Sequence, residues 1–310
     1  SSILFILFIK NHQNKTFTRT KIFTKFYINN FCRKVMIKKI LLLLVFLYLQ
    51  SYSQSIFGTH TILFTTSKDG LNWEKDPITL IENGFSPSAL FYEGKIFLYY
   101  ISDSLSLITS NDTAKSFHRQ SVKLFRVLNN KIVDPCIKYY NNSFKLFFIT
   151  SDSIENKLHV AYSNDGLNFF EDSRIIYSEK GIFKPDVVII NNKPIIYLTS
   201  GGDLIRIITH NGKHFFKDST FYFPSGIYSS SIIENNFIRT YYTGDYSINS
   251  FRLENGKIKK ENNVYKDQNI FISEPSVIKI SDSLYYMFYK KILPNNYIDT
   301  CGCVKKLIFE

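Results

Sequence analysis

Two carboxylic acids stand in the same local setting far apart in the chain. Asp134 precedes Pro135 and Glu274 precedes Pro275, each at the head of an apolar run. Hydrolysis of a glycosidic bond commonly uses two carboxyl groups, one protonated as the acid and the other ionised as base or nucleophile. A third acid, Asp186, lies two residues beyond Lys184, which itself precedes Pro185. The Lys184 charge can hold a neighbouring carboxylate ionised. In a regular strand Asp186 would share the face of Lys184, because side chains alternate with period two. Asp134, Glu274 and Asp186 are therefore the candidate catalytic residues. Ser86 and Ser229 head similar runs and join Lys184 as candidate substrate contacts. A plainer role competes with catalysis. Asp134 and Glu274 can accept hydrogen bonds from backbone amides around a channel mouth, and Pro after a polar residue suits the first positions of a strand.

Other residues add less. Trp73, Tyr228 and Tyr246 lie near turns and can stack on sugar faces, whereas most of the other Phe and Tyr residues are expected in packing. His60, His118, His159, His210 and His214 show no metal-ligand spacing, so neither a metal nor a cofactor is expected. Of the four cysteines, Cys32 precedes the expected mature start, and Cys136, Cys301 and Cys303 are too few and unpaired for a disulfide framework. Cys136 is expected as a small buried side chain.

The elements that must position these residues recur. A polar step, often X-Pro, is followed by an apolar strand, a polar turn and a strand ending in aromatics. Copies begin at Ser86-Pro87, Asp134-Pro135, Lys184-Pro185, Ser229-Ser230 and Glu274-Pro275, at intervals of 48, 50, 45 and 45 residues. A period of this size filled with strand pairs indicates a propeller. A second phrase alternates with the first: Ser67 to Trp73, Ser110 to Phe117, Ser163 to Phe169 and Thr209 to Phe215. Its Asp-Gly and Asn-Gly steps are tight-hairpin chemistry and explain themselves without a catalytic role. Each unit therefore has four strands, at about 136–140, 144–149, 158–163 and 173–177 for the second. One strand pair at about 60–82 precedes the first full unit, and residues 276–290 lack a second pair after them. The expectation is an all-β, five-bladed propeller whose ring is closed by the N-terminal strands joining the last blade, which hides both open sheet edges. Every inner strand then starts at one central opening, where Ser86, Asp134, Lys184, Ser229 and Glu274 meet.

The N-terminal segment has a different composition. Met36 is followed by two lysines, an apolar run from Ile40 to Leu49 and a small-residue site near Ser53. That is the order of a secretory signal peptide, and the run is short of the roughly 20 residues of a membrane span. The reading is an upstream extension at 1–35, a signal peptide at 36–53 and a single propeller domain at 54–310, secreted or periplasmic, with no stable membrane span after cleavage. Residues 1–53 carry nine of the basic residues and no acid, so the net charge of +12 falls to +3 for the remainder. The basic charge is not on the folded domain, which argues against a nucleic-acid partner.

The chain resembles the five-bladed propellers of secreted glycosidases, the group that includes glycoside hydrolase families 43, 32 and 130. Asp134-Pro135, Glu274-Pro275, the aromatic run Tyr285 to Tyr289 and the Ser67 to Trp73 hairpin carry the likeness, over about residues 57–292. The family-43 pattern implies an Asp base on the first inner strand, an Asp that tunes acidity on the second and a Glu acid on the third. Asp134 matches the second; Ser86 and Lys184 depart from the first and third. The hairpins are also similar to sialidase Asp boxes, but those have an extra residue between Asp and Gly, and no arginine sits at the start of an inner strand. The expected function is a monomeric glycan-active propeller acting on an oligo- or polysaccharide, as a glycoside hydrolase using the axial carboxylates. The rival from another class is a non-catalytic propeller that binds glycan or protein, and a third is a surface scaffold with no axial ligand.

Overall fold

The structure is a computed structural model, which describes residues 60–292 apart from 127–129, 153, 246, 262–264 and 267–270. The leader, the extension before it, Tyr246, Cys301 and Cys303 lie outside the described residues. The described residues form strands and turns with no helix, and hence none long and apolar enough to cross a membrane.

Five sheets make the five blades. Blade 1 runs Phe85–Tyr92, Lys95–Ile101, Leu105–Ser110 and His118–Gln120 from the axis outward. Blade 2 runs Ile132–Tyr140, Ser143–Ser151, Asn156–Ser163 and Asn168–Glu171, with Lys123–Phe125 added in parallel at its outer edge and Tyr177–Glu179 pairing beside the third strand. Its outer strand therefore comes earlier than the expected 173–177, directly after the hairpin. Blade 3 runs Ile182–Ile190, Lys193–Ser200, Asp203–Thr209 and Phe215–Phe223, and blade 4 runs Ile227–Ile233, Ile238–Gly244, Ser247–Glu254 and Lys257–Lys260. Blade 5 combines Phe271–Ser281 and Leu284–Ile292 with His60–Ser67 and Ile78–Glu82 from the other end of the domain. The pairing of His60 with Ile292 through Ser67 with Tyr285 closes the ring as the uneven strand count implies.

Apolar clusters fill the seams between blades. Tyr99, Phe144, Phe148 and Phe169 pack between blades 1 and 2, and Trp73, Tyr241, Met287 and Tyr289 between blades 4 and 5. The hairpins lock by side chain to backbone. The Asp69 carboxylate accepts from the amides of Leu71 and Asn72, both at 2.8 Å, while Ser67 Oγ accepts from Gly70 N at 3.0 Å. Ser163 and Asp165 repeat this arrangement in blade 2. Burial raises the Asp69 carboxyl, but the bonds from Asn72 and Leu71 outweigh it and hold the group well below the usual carboxylate range.

Around the axis a second device ties neighbouring inner strands. Ser88 Oγ accepts from Ile137 N at 2.9 Å, Asp186 Oδ1 from Ser231 N at 3.0 Å, Ser230 Oγ from Val277 N at 2.9 Å, and Ser276 Oγ from Ala89 N at 2.8 Å. The Cys136 sulfur takes the same place toward Val187 N. One acceptor per blade, each satisfying an amide of the next, makes a closed belt of five. Buried backbone donors need such partners. This explains why a small or acidic residue directly follows the proline of each X-Pro step.

Candidate functional site

Each inner strand bends sharply where it meets the channel. Ser86, Asp134, Lys184, Tyr228 and Glu274 take positive φ angles of 51°, 53°, 46°, 53° and 54°. At each of them the pairing with the second strand slips by a bulge. A non-glycine residue in this region is strained by roughly 1–3 kcal/mol. A bulge re-aims a side chain. The strain recurs in all five blades and points one side chain per blade toward the same mouth.

The blade 4 member of this set is Tyr228, one residue before the expected Ser229. Ser229 takes the place that proline holds in the other blades, and Ser230 takes the belt position. Blade 4 has no Pro to mark the step, so the sequence repeat alone left its register free by one. Ser229 is buried, and its hydroxyl has no hydrogen-bond partner among the described residues.

The site is an ion cluster with a serine at its centre. Ser86 N donates to Glu274 Oε2 at 2.7 Å, and Ser86 Oγ donates to Asp134 Oδ1 at 2.7 Å. Lys184 N donates to Asp134 Oδ2 at 3.1 Å, and Lys184 Nζ donates to Pro87 O at 2.9 Å. Lys290 Nζ donates to Glu274 Oε1. Two carboxyl groups and two ammonium groups thus balance, as buried charge requires. All four side chains are largely removed from solvent.

The environment separates the two acids. Burial pushes the Asp134 carboxyl up, against the Lys184 charge. Burial also raises Glu274, but Lys290 and Lys184 together outweigh it and hold that carboxyl below its ordinary value. Lys184 itself is pushed down by burial, opposed by Glu274 and Asp134. The Tyr228 phenol rises to about 12, through burial and then the two carboxylates.

The structure brings Ser86, Asp134, Lys184, Tyr228 and Glu274 together and, besides Ser229, leaves two sequence candidates elsewhere. Both oxygens of Asp186 bond Ser231, to its N at 3.0 Å and its Oγ at 2.6 Å. The bulge between Phe183 and Asp186 breaks the alternation that would have put Asp186 beside Lys184. Trp73 lies in the seam between blades 4 and 5, its ring edge-on to Tyr241 at 5.9 Å, and is buried away from the mouth. Sequence reasoning missed Lys290. Its repeat position, opposite the residue just before the bend, is held by Ile101, Thr199 and Thr243 in blades 1, 3 and 4. A lysine closing the aromatic run Tyr285 to Tyr289 was the available signal. His60 was also missed at this end. It is pushed down by burial and by Lys290, against Glu274, and its Nδ1 has no partner among the described residues. No group of His, Cys, Asp and Glu side chains among the described residues is arranged to hold a metal ion.

No family model matches the chain, and neither does any curated protein. Solved structures do resemble it. A thermostable family-43 glycoside hydrolase is 14% identical with a TM-score of 0.57, covering 68% of this chain and 88% of that one. An exo-1,5-alpha-L-arabinanase from a bovine ruminal metagenomic library is 10% identical with a TM-score of 0.55, covering 68% and 92%. The family-32 beta-fructofuranosidase of Bombyx mori is 14% identical with a TM-score of 0.50, covering 65% and 56%. The fold is therefore that of the five-bladed glycosidase propellers.

Proposed function

We propose that this protein is a glycan-recognising propeller that holds a sugar over the mouth formed by Ser86, Asp134, Lys184, Tyr228 and Glu274, without cleaving it. The observation that supports this reading is the buried Lys184, which stands where the resemblance implies the catalytic acid, as Ser86 stands where it implies the base. Hydrolysis needs one protonated and one ionised carboxyl group with the scissile bond between them. Here Ser86 bridges the two acids, and each carboxyl oxygen already accepts a hydrogen bond. Phe183, next to Lys184 and 40% exposed, and the half-buried Tyr228 offer apolar faces beside this polar floor. Apolar faces with a few fixed polar groups are what small-ligand sites require. The arabinanase and fructofuranosidase neighbours act on carbohydrate by their names, which makes a saccharide the ligand class to test. Export, from the leader at Met36 to Ser53, and a monomeric state belong to the same proposal.

A second reading has its own support. Asp134 is raised and Glu274 lowered, which is the separation an acid and a base need. In that case Asp134 donates the proton and Glu274 acts as base or nucleophile. A glycan array and a reducing-end release screen on the same oligosaccharides decide between them. Binding without release supports recognition. Release by the wild type and not by Asp134→Asn replaces it with hydrolysis. Neither binding nor release overturns both and leaves a scaffold.

A further inference from the structure

In three of the five seams a tyrosine hydroxyl bonds a carbonyl of the neighbouring hairpin. In the seam between blades 3 and 4 the Tyr197 hydroxyl has no partner among the described residues, and in the seam between blades 2 and 3 the hydroxyl itself is missing. The second strand of each blade carries an aromatic residue opposite the belt residue. Tyr241 in blade 4 donates its hydroxyl to Gly70 O of the blade 5 hairpin at 2.9 Å, and Tyr99 in blade 1 donates to Gly166 O of the blade 2 hairpin. In blade 5 Tyr286 makes the tie, to Thr113 O of the blade 1 hairpin at 2.9 Å. In blade 2 the position is Phe147, which has no hydroxyl to give to the Gly212 hairpin of blade 3. A side-chain carbon added at Gly70 or Gly166 would meet a tyrosine oxygen at 2.7 or 3.1 Å, whereas one at Gly212 would meet nothing within 4 Å. The gap is a cavity of about 280 Å³ between blades 2 and 3.

A cation without an anion lies in that cavity. Lys145 sits two residues before Phe147, as Arg239 sits two residues before Tyr241. Arg239 pairs with Glu234 at 3.0 Å and with Glu261 at 3.1 Å. Lys145 is equally buried, but its Nζ donates only to Tyr140 O and Ser143 Oγ, both at 2.7 Å, and no carboxylate among the described residues pairs with it. The repeat shows where the acids went. Tyr140 occupies the position of Glu234. Asp172 occupies that of Glu261, since Asp172 N bonds Val160 O as Glu261 N bonds Ser250 O. Asp172 is turned to Arg174, at 2.7 Å. The Tyr140 and Tyr162 rings flank the Lys145 ammonium at 4.1 and 5.4 Å, and Lys213 adds a second cation with no acidic partner among the described residues.

We propose that this cleft between blades 2 and 3 binds a small ring-bearing carboxylate, its anionic group taking the place beside Lys145 that Glu234 and Glu261 take beside Arg239, and its ring lying against Tyr140, Tyr162 and Phe215. The cavity holds about one ring. A hexuronic acid and an aromatic acid share this chemistry. The site is separate from the axial mouth and stands whether or not that mouth binds glycan.

The test is titration of the full chain with glucuronate and with benzoate, with glucose and benzyl alcohol as uncharged controls. It is read by calorimetry and by the backbone amide signals of Gly212, Lys213 and Phe215. At least one carboxylate should bind and shift those signals, with both controls silent. Glucuronate alone identifies a sugar acid, and benzoate alone an aromatic acid. Lys145→Met should weaken binding about tenfold or more, as loss of a charged hydrogen-bond donor does. Phe147→Tyr, which restores the missing hydroxyl, should also weaken it by closing the cleft, and carries the test if Lys145→Met does not fold. Binding of neither acid, equal binding of the controls, or affinities unchanged in the variants that fold would overturn the proposal.

Discussion

The seam between blades 4 and 5 and the seam between blades 2 and 3 use the same positions for opposite ends. In the first, Arg239 meets Glu234 and Glu261, Tyr241 bonds the neighbouring hairpin, and Trp73 packs across the join. In the second, Lys145 has no acid among the described residues, Phe147 has no hydroxyl, and a cavity remains. One repeat can therefore specify closure or a cleft by two or three substitutions. A departure from the repeat is a better guide to a site than any residue taken singly.

The largest effect that would test this contrast is at the cations. Arg239→Met leaves Glu234 and Glu261 buried together with one cation fewer and should destabilise by about 3–5 kcal/mol in urea unfolding. Lys145→Met, which strands no carboxylate, should change stability by less than about 1 kcal/mol. Equal losses would break the comparison. Next come the hairpin glycines. Gly70→Ala meets both a positive φ of 72° and the Tyr241 oxygen, and should cost about 2 kcal/mol. Gly212→Ala has the same φ and free space, and should cost about 1 kcal/mol. Tyr241→Phe, which copies the blade 2 residue into blade 4, should cost about 1 kcal/mol by stranding the Gly70 carbonyl.

The smallest effect is acid titration. The hairpins at Asp69 and Asp165 hold their carboxyls below the ordinary range, with burial opposing and the amide bonds from Asn72 and Asn168 prevailing. A depressed folded pKa gives stability that is present above the unfolded value and lost as pH falls toward the folded one. The blade 3 hairpin has Asn211 in that place, bonding Lys213 N and His214 N at 2.9 Å without a charge to lose. Amide NMR signals of Leu71, Asn72, Leu167 and Asn168 should therefore hold still through about pH 4, the unfolded carboxylate value, and move only well below it. Those of Lys213 and His214 should stay. Parallel movement of both sets would show that the carboxylates are not the cause.

The architecture was legible because its signals repeat. The X-Pro steps, the Asp-Gly hairpins and the unmatched strand pairs at either end led to five blades and to the joining of residues 60–82 with 276–290. Ser86, Asp134, Lys184 and Glu274 were legible as a group for the same reason. What was hidden depends on local geometry that sequence spacing does not carry. The bulge before Asp186 moves it from the axial face into the belt, and the missing proline in blade 4 concealed that Tyr228 makes the bend. Lys290 was hidden in an aromatic run, where a lysine reads as an exposed strand end until the pairing sets it beside Glu274.

The shared blade 5 has a consequence for biogenesis. His60–Ser67 is the first of the described strands to be synthesised, and its partner Leu284–Ile292 is the last of them. Until that final segment leaves the ribosome, the early strands carry an unpaired edge, and pairing between such distant stretches is slow. Nascent chains of this kind need an interval of protection from one another, since a hairpin exposed by one copy is a ready mate for the unfinished blade of the next.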